Sequence, residues 1–331
     1  MPVFAFAIGV AARDVQGNCI DCFYPAPLKE PDGDLGDAIS KAFKPGTATV
    51  RAEQVRDFVQ TRQPALAPVL ETERELIATL LPADKAVSST PEAFLKLHLL
   101  SHRLTLPNSM NLDGIFAHLQ TVAWTTEGAI ALADLPERQL RARLAGRHFE
   151  VLSVDKFPKM ANYVIPSGVR IADSSRIRLG AYLGEGTTVM PSGAVNFNAA
   201  ALGPNMVEGR ISQGVVLGQG SDLGGGASTM GTLAGGGEIT ITIGRQCLIG
   251  ANGGTGIPLG DRCTIEAGLY ITAGTRVTVI DEDGNRVRVA RGRELAGGSD
   301  MLFIRHSESG EVQCRTNRKA IALNEQLHAH N

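Results

Sequence analysis

Between Ile165 and Val195 an aliphatic side chain returns at every sixth position: Ile165, Ile171, Ile177, Leu183, Val189 and Val195. The frame is interrupted over residues 199–205, returns at Ile211, Leu217 and Leu223, resumes at Ile243 and Ile249, and closes with Leu259, Ile265, Ile271 and Val277. Small residues often follow four places later, as at Ala181, Thr187, Gly193, Ser221, Ala227 and Thr275. A period of six fits neither the 3.6 of a helix nor the 2 of a plain strand, and it predicts a hexapeptide parallel β-helix. Three short strands per coil make a triangular prism, with the aliphatic residue inside and a small residue permitting each corner. Stacked coils pair their backbones about 4.8 Å apart, so each covers the edge of the last. The two open ends need caps. Loops over 196–210 and 224–237 are expected to leave the prism.

Before the array the pattern is mixed α and β. Strands are predicted over 3–10 and 19–24, on either side of a turn at Gln16-Gly17-Asn18. Helical periodicity predicts helices over 37–43, 52–61 and 69–81. Thr90 as N-cap with Pro91 at the first helical position opens another, running through Phe94, Leu95, Leu97 and Leu100. A further helix is expected over 136–144, ending near Gly146. The fold class is therefore an α/β N-terminal domain, a parallel β-helix and a small C-terminal cap. The segments expected are 1–105 for the α/β domain, 106–162 for a connecting helix/strand segment, 163–285 for the prism and 286–331 for the cap.

Two spacings in the first third resemble chemistry. Cys19 and Cys22 match a redox or zinc half-site, but no second pair accompanies them. On a regular strand, positions three apart face opposite sides, so two separately packed thiols are expected. His98 and His102 stand one helical turn apart without the general-base Glu of a zinc-protease motif, so they are expected to serve packing.

Composition sharpens the picture. A chain of 331 residues with 43% hydrophobic content buries a core without disulfide or metal staples. Gly is 38 while aromatics are only 5%, which suits a narrow aliphatic prism. Lys plus Arg is 32 against 34 for Asp plus Glu, and that balance argues against nucleic acid or an anionic membrane as the main partner. No apolar run reaches the ~18 residues of a membrane span, and the start lacks a signal peptide's basic region. Five unpatterned cysteines do not suggest a secreted disulfide framework, so a cytoplasmic location is expected.

No histidine lies between Glu150 and Arg305. That excludes a zinc lyase of the γ-carbonic anhydrase kind, which uses a similar prism but several His ligands. It also removes the usual imidazole base of prism acyltransferases. A purely structural scaffold is disfavoured by the breaks in frame. The acidic residues of the array are Asp173, Glu185, Glu208, Asp222, Glu238, Asp261 and Glu266. Glu208 stands out within Met206-Val207-Glu208-Gly209-Arg210-Ile211-Ser212, beside a cation at the end of the frame break. An exposed Glu208–Arg210 ion pair is the plain alternative to a catalytic carboxylate.

The hexads resemble those of hexapeptide-repeat acyltransferases, which implies a left-handed β-helix, and, with the array, a homotrimer with active sites in clefts between prisms. A series of segments narrows this further. Val154-Asp155-Lys156-Phe157-Pro158-Lys159-Met160, Val195-Asn196-Phe197-Asn198 and Gly220-Ser221-Asp222-Leu223-Gly224-Gly225-Gly226 belong to it, as does the Glu208 segment. Met230-Gly231-Thr232-Leu233, Glu266-Ala267-Gly268-Leu269-Tyr270 and Ala322-Leu323-Asn324-Glu325 complete it. In this order they closely resemble the tetrahydrodipicolinate N-succinyltransferase family, in its longer form found in actinobacteria and pseudomonads. The resemblance covers at least Phe94 to the C-terminus.

It implies transfer of succinyl from succinyl-CoA to the amine of ring-opened tetrahydrodipicolinate, giving N-succinyl-2-amino-6-oxopimelate in diaminopimelate and lysine biosynthesis. The runner-up is N-acetyl transfer to the same or a related acceptor. By motif, Glu208 matches the family's acyl-anhydride carboxylate and Arg210 a succinyl-CoA contact. Gly225, Ser228, Ala251, Glu266, Ala267, Gly274, Arg291, Ile304, Arg305, His306 and Ser307 fall where the family binds that co-substrate. Whether Glu208 is nucleophile or base stays open, and Arg170, Arg176, Arg178 and Arg210 are candidates for the acceptor's carboxylates. Some members bind Mg²⁺ through acidic residues where this chain has Ser175 and Ser192. Serine is a poor ligand for that hard cation, so no metal is assigned.

Overall fold

The structure is a computed structural model, and it describes residues 2–231 and 240–316. Within these, one compact unit holds 2–105 with 109–164, and the other holds 106–108 with 165–316. The expected segment Ala322-Leu323-Asn324-Glu325 lies outside the described residues, as do 232–237 of the expected 224–237 loop.

The first unit is built on an antiparallel sheet in the order Cys19–Phe23, Ala5–Arg13, Leu76–Leu81, Gly46–Val50. Phe6, Ile8, Leu76, Ala78 and Leu80 pack with Ile39 of the helix Gly33–Ala42 and with Val55, Phe58 and Val59 of the helix Ala52–Arg62. The helix Thr90–Ser101 packs against all four of these strands, so Leu76–Leu81 is buried at all six positions. A second antiparallel sheet joins Gly128–Ala131, Val122–Thr125 and Val151–Asp155, with the helix Leu135–Leu144 between its last two strands in sequence.

Three local expectations are corrected. Residues 69–81 are not a helix: a 3₁₀ segment, Pro64–Glu71, ends there and Leu76–Leu81 is a strand. A short apolar run covered on both faces has no alternation, so its period cannot separate strand from helix. The N-cap is Ser89, whose Oγ accepts from the Glu92 N–H at 3.5 Å, while the Thr90 hydroxyl donates to the carbonyl of His118 at 2.7 Å. Cys19 and Cys22 do not face apart. The pairing with Ala5–Arg13 shifts register between Ala12 and Arg13, and this irregularity brings the two Sγ atoms to 3.3 Å. His98 is a packing residue, donating from Nδ1 to the Phe94 carbonyl at 2.7 Å and accepting the Tyr24 N–H on Nε2 at 3.2 Å.

The second unit is a prism of three parallel sheets. Its first face stacks Arg170–Ile171, Thr187–Val189, Asn205–Val207, Asp222–Leu223, Leu248–Ile249 and Thr264–Ile265. The second stacks Ala194–Val195, Arg210–Ile211, Ser228–Thr229, Gly254–Thr255 and Tyr270–Ile271. The third stacks Ala181–Leu183, Ala199–Ala201, Val216–Leu217 and Thr242–Ile243. The hexad aliphatics from Ile177 onward point inward and are buried, but Ile165 stands before the first coil and is 65% exposed.

The frame does not break where the sequence suggested. Ala201 and Val207 are buried at inward positions, so 196–210 stays on the prism. Alanine at 199–201 simply hides the aliphatic signal. The slip comes next. Val207 pairs beside Val189 and Leu223, while Arg210 pairs beside Ala194 and Ser228. Four positions therefore separate Val207 from Ile211 where six separate Val189 from Val195 and Leu223 from Thr229. One corner is two residues shorter than those on either side, and it carries Glu208.

Another edge carries a ladder that accounts for two cysteines. Ser221 Oγ donates to the Gly244 carbonyl at 2.6 Å, Cys247 Sγ to Gly260 at 3.1 Å and Cys263 Sγ to Gly298 at 3.2 Å. At the C-terminal end, Met301–Arg305 pairs in parallel with Thr264–Ile265, and Val312–Thr316 lies between it and Arg276–Ile280. These strands continue the first face instead of closing the prism like a lid.

Candidate active site

Each corner leaving the first face follows a paired inward residue, so Glu208, Gly224, Gly250, Glu266 and Ile304 form one column. Their neighbours Gly209, Gly225, Ala251, Ala267 and Arg305 form the next. The backbone rungs are regular: Glu208 N–H donates to Leu223 at 2.9 Å, Gly224 to Ile249 at 2.8 Å, Gly250 to Ile265 at 2.8 Å and Glu266 to Phe303 at 3.0 Å. Small residues are required by the close stacking here. A Cβ on Gly224 would lie 2.7 Å from the Ala251 nitrogen, and one on Gly250 2.5 Å from the Ala267 nitrogen. Gly209 allows the shortened corner, since a Cβ there would meet the Ala227 carbonyl oxygen at 2.3 Å.

Glu208 is half-buried on that corner. The coil on one side fixes its backbone, because Ser192 Oγ donates to the Glu208 carbonyl at 3.0 Å. Arg176 in turn grips that flanking corner, donating from Nη2 to the Ser192 carbonyl at 2.9 Å and from Nε to Gly193 at 3.0 Å. On the other side the Glu208 carboxylate faces Gly225, where a Cβ would stand 3.4 Å from Oε2. The carboxylate thus sits beside a bare stretch of backbone.

Arg210 does not pair with Glu208 among the described residues. It belongs to the second face and donates from Nε to Ser228 Oγ at 3.0 Å. The Ser228 oxygen is also 3.5 Å from the Tyr270 hydroxyl, whose ring lies against Gly254 so closely that a Cβ there would be 2.3 Å from Cε2. Arg210, Ser228, Gly254 and Tyr270 are laterally paired neighbours on successive coils. The alternative of a plain ion pair at Glu208–Arg210 is therefore not what the fold forms.

The carboxylate of Glu266 accepts the Arg305 N–H at 2.7 Å, which ties the expected 304–307 segment to the Ala251 and Ala267 corners. Beyond it, Arg305 donates from Nη1 to the Gly310 carbonyl at 3.0 Å, and His306 Nδ1 accepts the Ser309 N–H at 3.3 Å. Ser307 is exposed on the turn. Gly274 and Arg291 form a separate group, joined where Gly292 N–H donates to Thr275 at 2.8 Å and Arg293 N–H to Ala273 at 3.1 Å. Nothing surrounds a Cβ placed on Gly274, so its surface is open. The described geometry links Glu208, Gly225, Ala251, Glu266, Ala267, Ile304 and Arg305 along one edge and Arg210 with Ser228 on the adjoining face. It does not bring Gly274 and Arg291 to that edge within one chain.

The four arginines considered for carboxylate binding also separate. Arg178 donates from Nη1 to Asn196 Oδ1 at 3.2 Å and Arg176 holds backbone carbonyls, whereas Arg170 is exposed. The positions considered for Mg²⁺ do not fit that ion. Ser175 donates to Asp173 Oδ1 at 2.6 Å and Ser192 to the Glu208 carbonyl, so both hydroxyls are already committed.

Sequence reasoning missed the roles of Ser192, Gly224, Gly250 and Tyr270. Counting hexads through the alanines would have placed the slip at 207–211 and made Ser192 the residue next to Glu208 on the flanking coil.

Known proteins resemble this chain along its length. Residues 119–159 match the model of the tetrahydrodipicolinate N-succinyltransferase middle region, and residues 240–273 match the hexapeptide repeat of succinyl-transferase. A 2,3,4,5-tetrahydropyridine-2,6-dicarboxylate N-succinyltransferase from Pseudomonas putida is 54% identical, with 99% of each chain covered. One from Vibrio cholerae is 48% identical, with each chain covered in full. A Campylobacter jejuni protein provisionally assigned as 2,3,4,5-tetrahydropyridine-2-carboxylate N-succinyltransferase has a crystal structure similar to this fold. The TM-score is 0.87 at 31% identity, covering 96% of this chain and 93% of that one. The hexapeptide match and this structural likeness imply the left-handed form of the β-helix. With relatives this similar along the whole chain and a hexapeptide prism carrying the expected carboxylate, the chain belongs to the tetrahydrodipicolinate N-succinyltransferase family.

Proposed function

We propose that the shortened corner at Glu208 is where the succinyl group changes hands. The enzyme is an acyltransferase: succinyl passes from succinyl-CoA to the amine of ring-opened tetrahydrodipicolinate, giving N-succinyl-2-amino-6-oxopimelate on the route to diaminopimelate and lysine. The thioester C–S bond breaks, an amide C–N bond forms, and CoA leaves as its thiol. The observation that carries the assignment to this corner is half-buried Glu208, whose main-chain carbonyl is held by Ser192 from one coil and whose carboxylate faces bare Gly225 on the next.

Two steps are open to that carboxylate. It attacks the thioester carbonyl to give a mixed anhydride, or it takes the proton released as the amine attacks. Rapid-quench trapping with hydroxylamine separates them. The glycine and alanine column beside it presents backbone N–H and C=O groups to an extended pantetheine arm, while Arg305 and Arg291 supply cations for phosphates. Arg210 is held by Ser228 so that its guanidinium meets the free carboxylate of the succinyl group.

Gly274 and Arg291 are not at the Glu208 edge of one chain. A homotrimer, in which each cleft takes residues from two prisms, reconciles their roles, and the cytoplasm is the compartment that fits such an enzyme. The test of the donor assignment compares succinyl-CoA with acetyl-CoA in the unsubstituted enzyme and in Arg210→Ala. Succinyl-CoA should have the higher kcat/KM, and Arg210→Ala should lose most of that preference. A variant that keeps the preference places the succinyl carboxylate elsewhere.

A further inference from the structure

The N-terminal unit contains a pair of thiols that the transfer reaction does not use. Cys19 and Cys22 lie on the strand Cys19–Phe23, where a regular ladder would point them to opposite faces. The register instead jumps from Ala12↔Asp21 to Arg13↔Cys19, leaving Ile20 unpaired in the bulge. Their sulfurs are 3.3 Å apart, against about 2.0 Å in a disulfide, so a movement of about 1 Å closes the bond.

The two thiols differ in access. Cys19 is partly exposed, whereas Cys22 is fully buried. Arg13 is the cross-strand partner of Cys19, and its guanidinium is anchored to the Gly17 carbonyl at 3.0 Å. The contact with Cys22 and the nearby Arg13 charge lower the Cys19 thiol, while burial pushes Cys22 up. An accessible, more acidic thiol beside a buried one is the arrangement of an attacking and a resolving cysteine. The other three described cysteines are buried, two of them in the prism's ladder.

We propose that Cys19 and Cys22 form a redox-modification site, which closes to an intrachain disulfide on reaction with a small-molecule disulfide of the glutathione class. The Cys19 thiolate attacks one sulfur of the reagent, forming a mixed disulfide and releasing one reagent thiolate. Cys22 then attacks Cys19 Sγ, its proton passing to the second reagent thiolate as that group leaves. Two protein thiols give up two electrons, and the reagent's S–S bond takes them to become two thiols.

The experiment is peptide mapping of the full-length chain under non-reducing conditions, after equilibration with graded mixtures of reduced and oxidised glutathione and an acid quench. The expected product is a Cys19–Cys22 disulfide, formed at ratios that leave Cys247, Cys263 and Cys314 as thiols. Cys22→Ser should halt the reaction at a glutathione adduct on Cys19, and Cys19→Ser should leave Cys22 unmodified. The proposal fails if the unsubstituted chain accumulates a stable adduct on Cys19. It also fails if both thiols stay reduced at ratios that oxidise a short Cys-X-X-Cys peptide. The mapping of the unsubstituted chain decides the matter even if neither variant folds.

Discussion

The Ser192 hydroxyl donates to the main-chain carbonyl of Glu208 at 3.0 Å, from the coil that precedes it on the prism. Ser192 thus holds the backbone from which the Glu208 carboxylate projects. Ser192→Ala removes one such bond from an exposed site, worth about 1 kcal/mol. Turnover should fall by several-fold to tenfold, with little change in melting temperature, and Ser192→Thr should recover most of it. Equal kcat in Ser192→Ala and the unsubstituted enzyme would show that the bond does not position Glu208.

Adjacent glycines should respond in opposite ways. At Gly225 a Cβ would reach 3.4 Å from the Glu208 carboxylate, an ordinary contact, so Gly225→Ala should fold and fill the groove. Its expected signature is a raised KM for succinyl-CoA at an unchanged melting temperature. At Gly224 the Cβ would strike the Ala251 nitrogen at 2.7 Å, and a coil must shift. Overpacking of this kind costs about 1–3 kcal/mol, so Gly224→Ala should lower the melting temperature first.

Acid should weaken the first unit through His98. Burial pushes its imidazole down to about 3, so the folded chain keeps it neutral while the unfolded chain protonates near 6.5. The stabilisation is present above about 6.5 and is lost as pH falls toward 3, by about 1.4 kcal/mol for each pH step. Asp21 opposes this: burial raises its carboxyl to about 6, so its contribution is present below its ordinary value and is lost as pH rises through about 6. The useful measurement is the difference in denaturation free energy between the unsubstituted chain and His98→Gln across pH 7 to 4. That difference should shrink as pH falls, and a constant difference would contradict the account.

Much of the second unit was legible because aliphatic spacing is a direct record of what points into a prism. Most inward positions from Ile177 to Ile271 follow from it. What stayed hidden was a matter of small residues. Ala201 fills an inward place without an aliphatic signal, so the slip was read too early and 196–210 was taken for a loop. In the first unit, Leu76–Leu81 is covered on both faces and loses the alternation that marks a strand. The approach of Cys19 to Cys22 depends on a bulge, which is set by pairing with a distant strand and leaves no local trace. Glu208 itself was visible through its motif, but its separation from Arg210 was not. Only lateral pairing on the second face shows that Ser228 takes the guanidinium.

A trimer predicts a solution mass about three times the chain's 35.0 kDa, measurable by light scattering at micromolar concentration. Mixed trimers give the sharper form of the test. Chains carrying Glu208→Gln and chains carrying Arg291→Ala should regain activity when co-assembled if one cleft draws on two prisms. A fully active monomer would contradict the shared cleft.

The most direct test of the central claim is kcat for Glu208→Gln with succinyl-CoA and the acceptor, in protein whose oligomeric state and CoA affinity match the unsubstituted enzyme. The amide keeps the size of the side chain but removes its nucleophile or base. Loss of a general base alone typically costs about 10²–10⁴ in rate. The account predicts a fall in kcat of at least that size with CoA binding retained. A Glu208→Gln enzyme turning over at near the unsubstituted rate would contradict it.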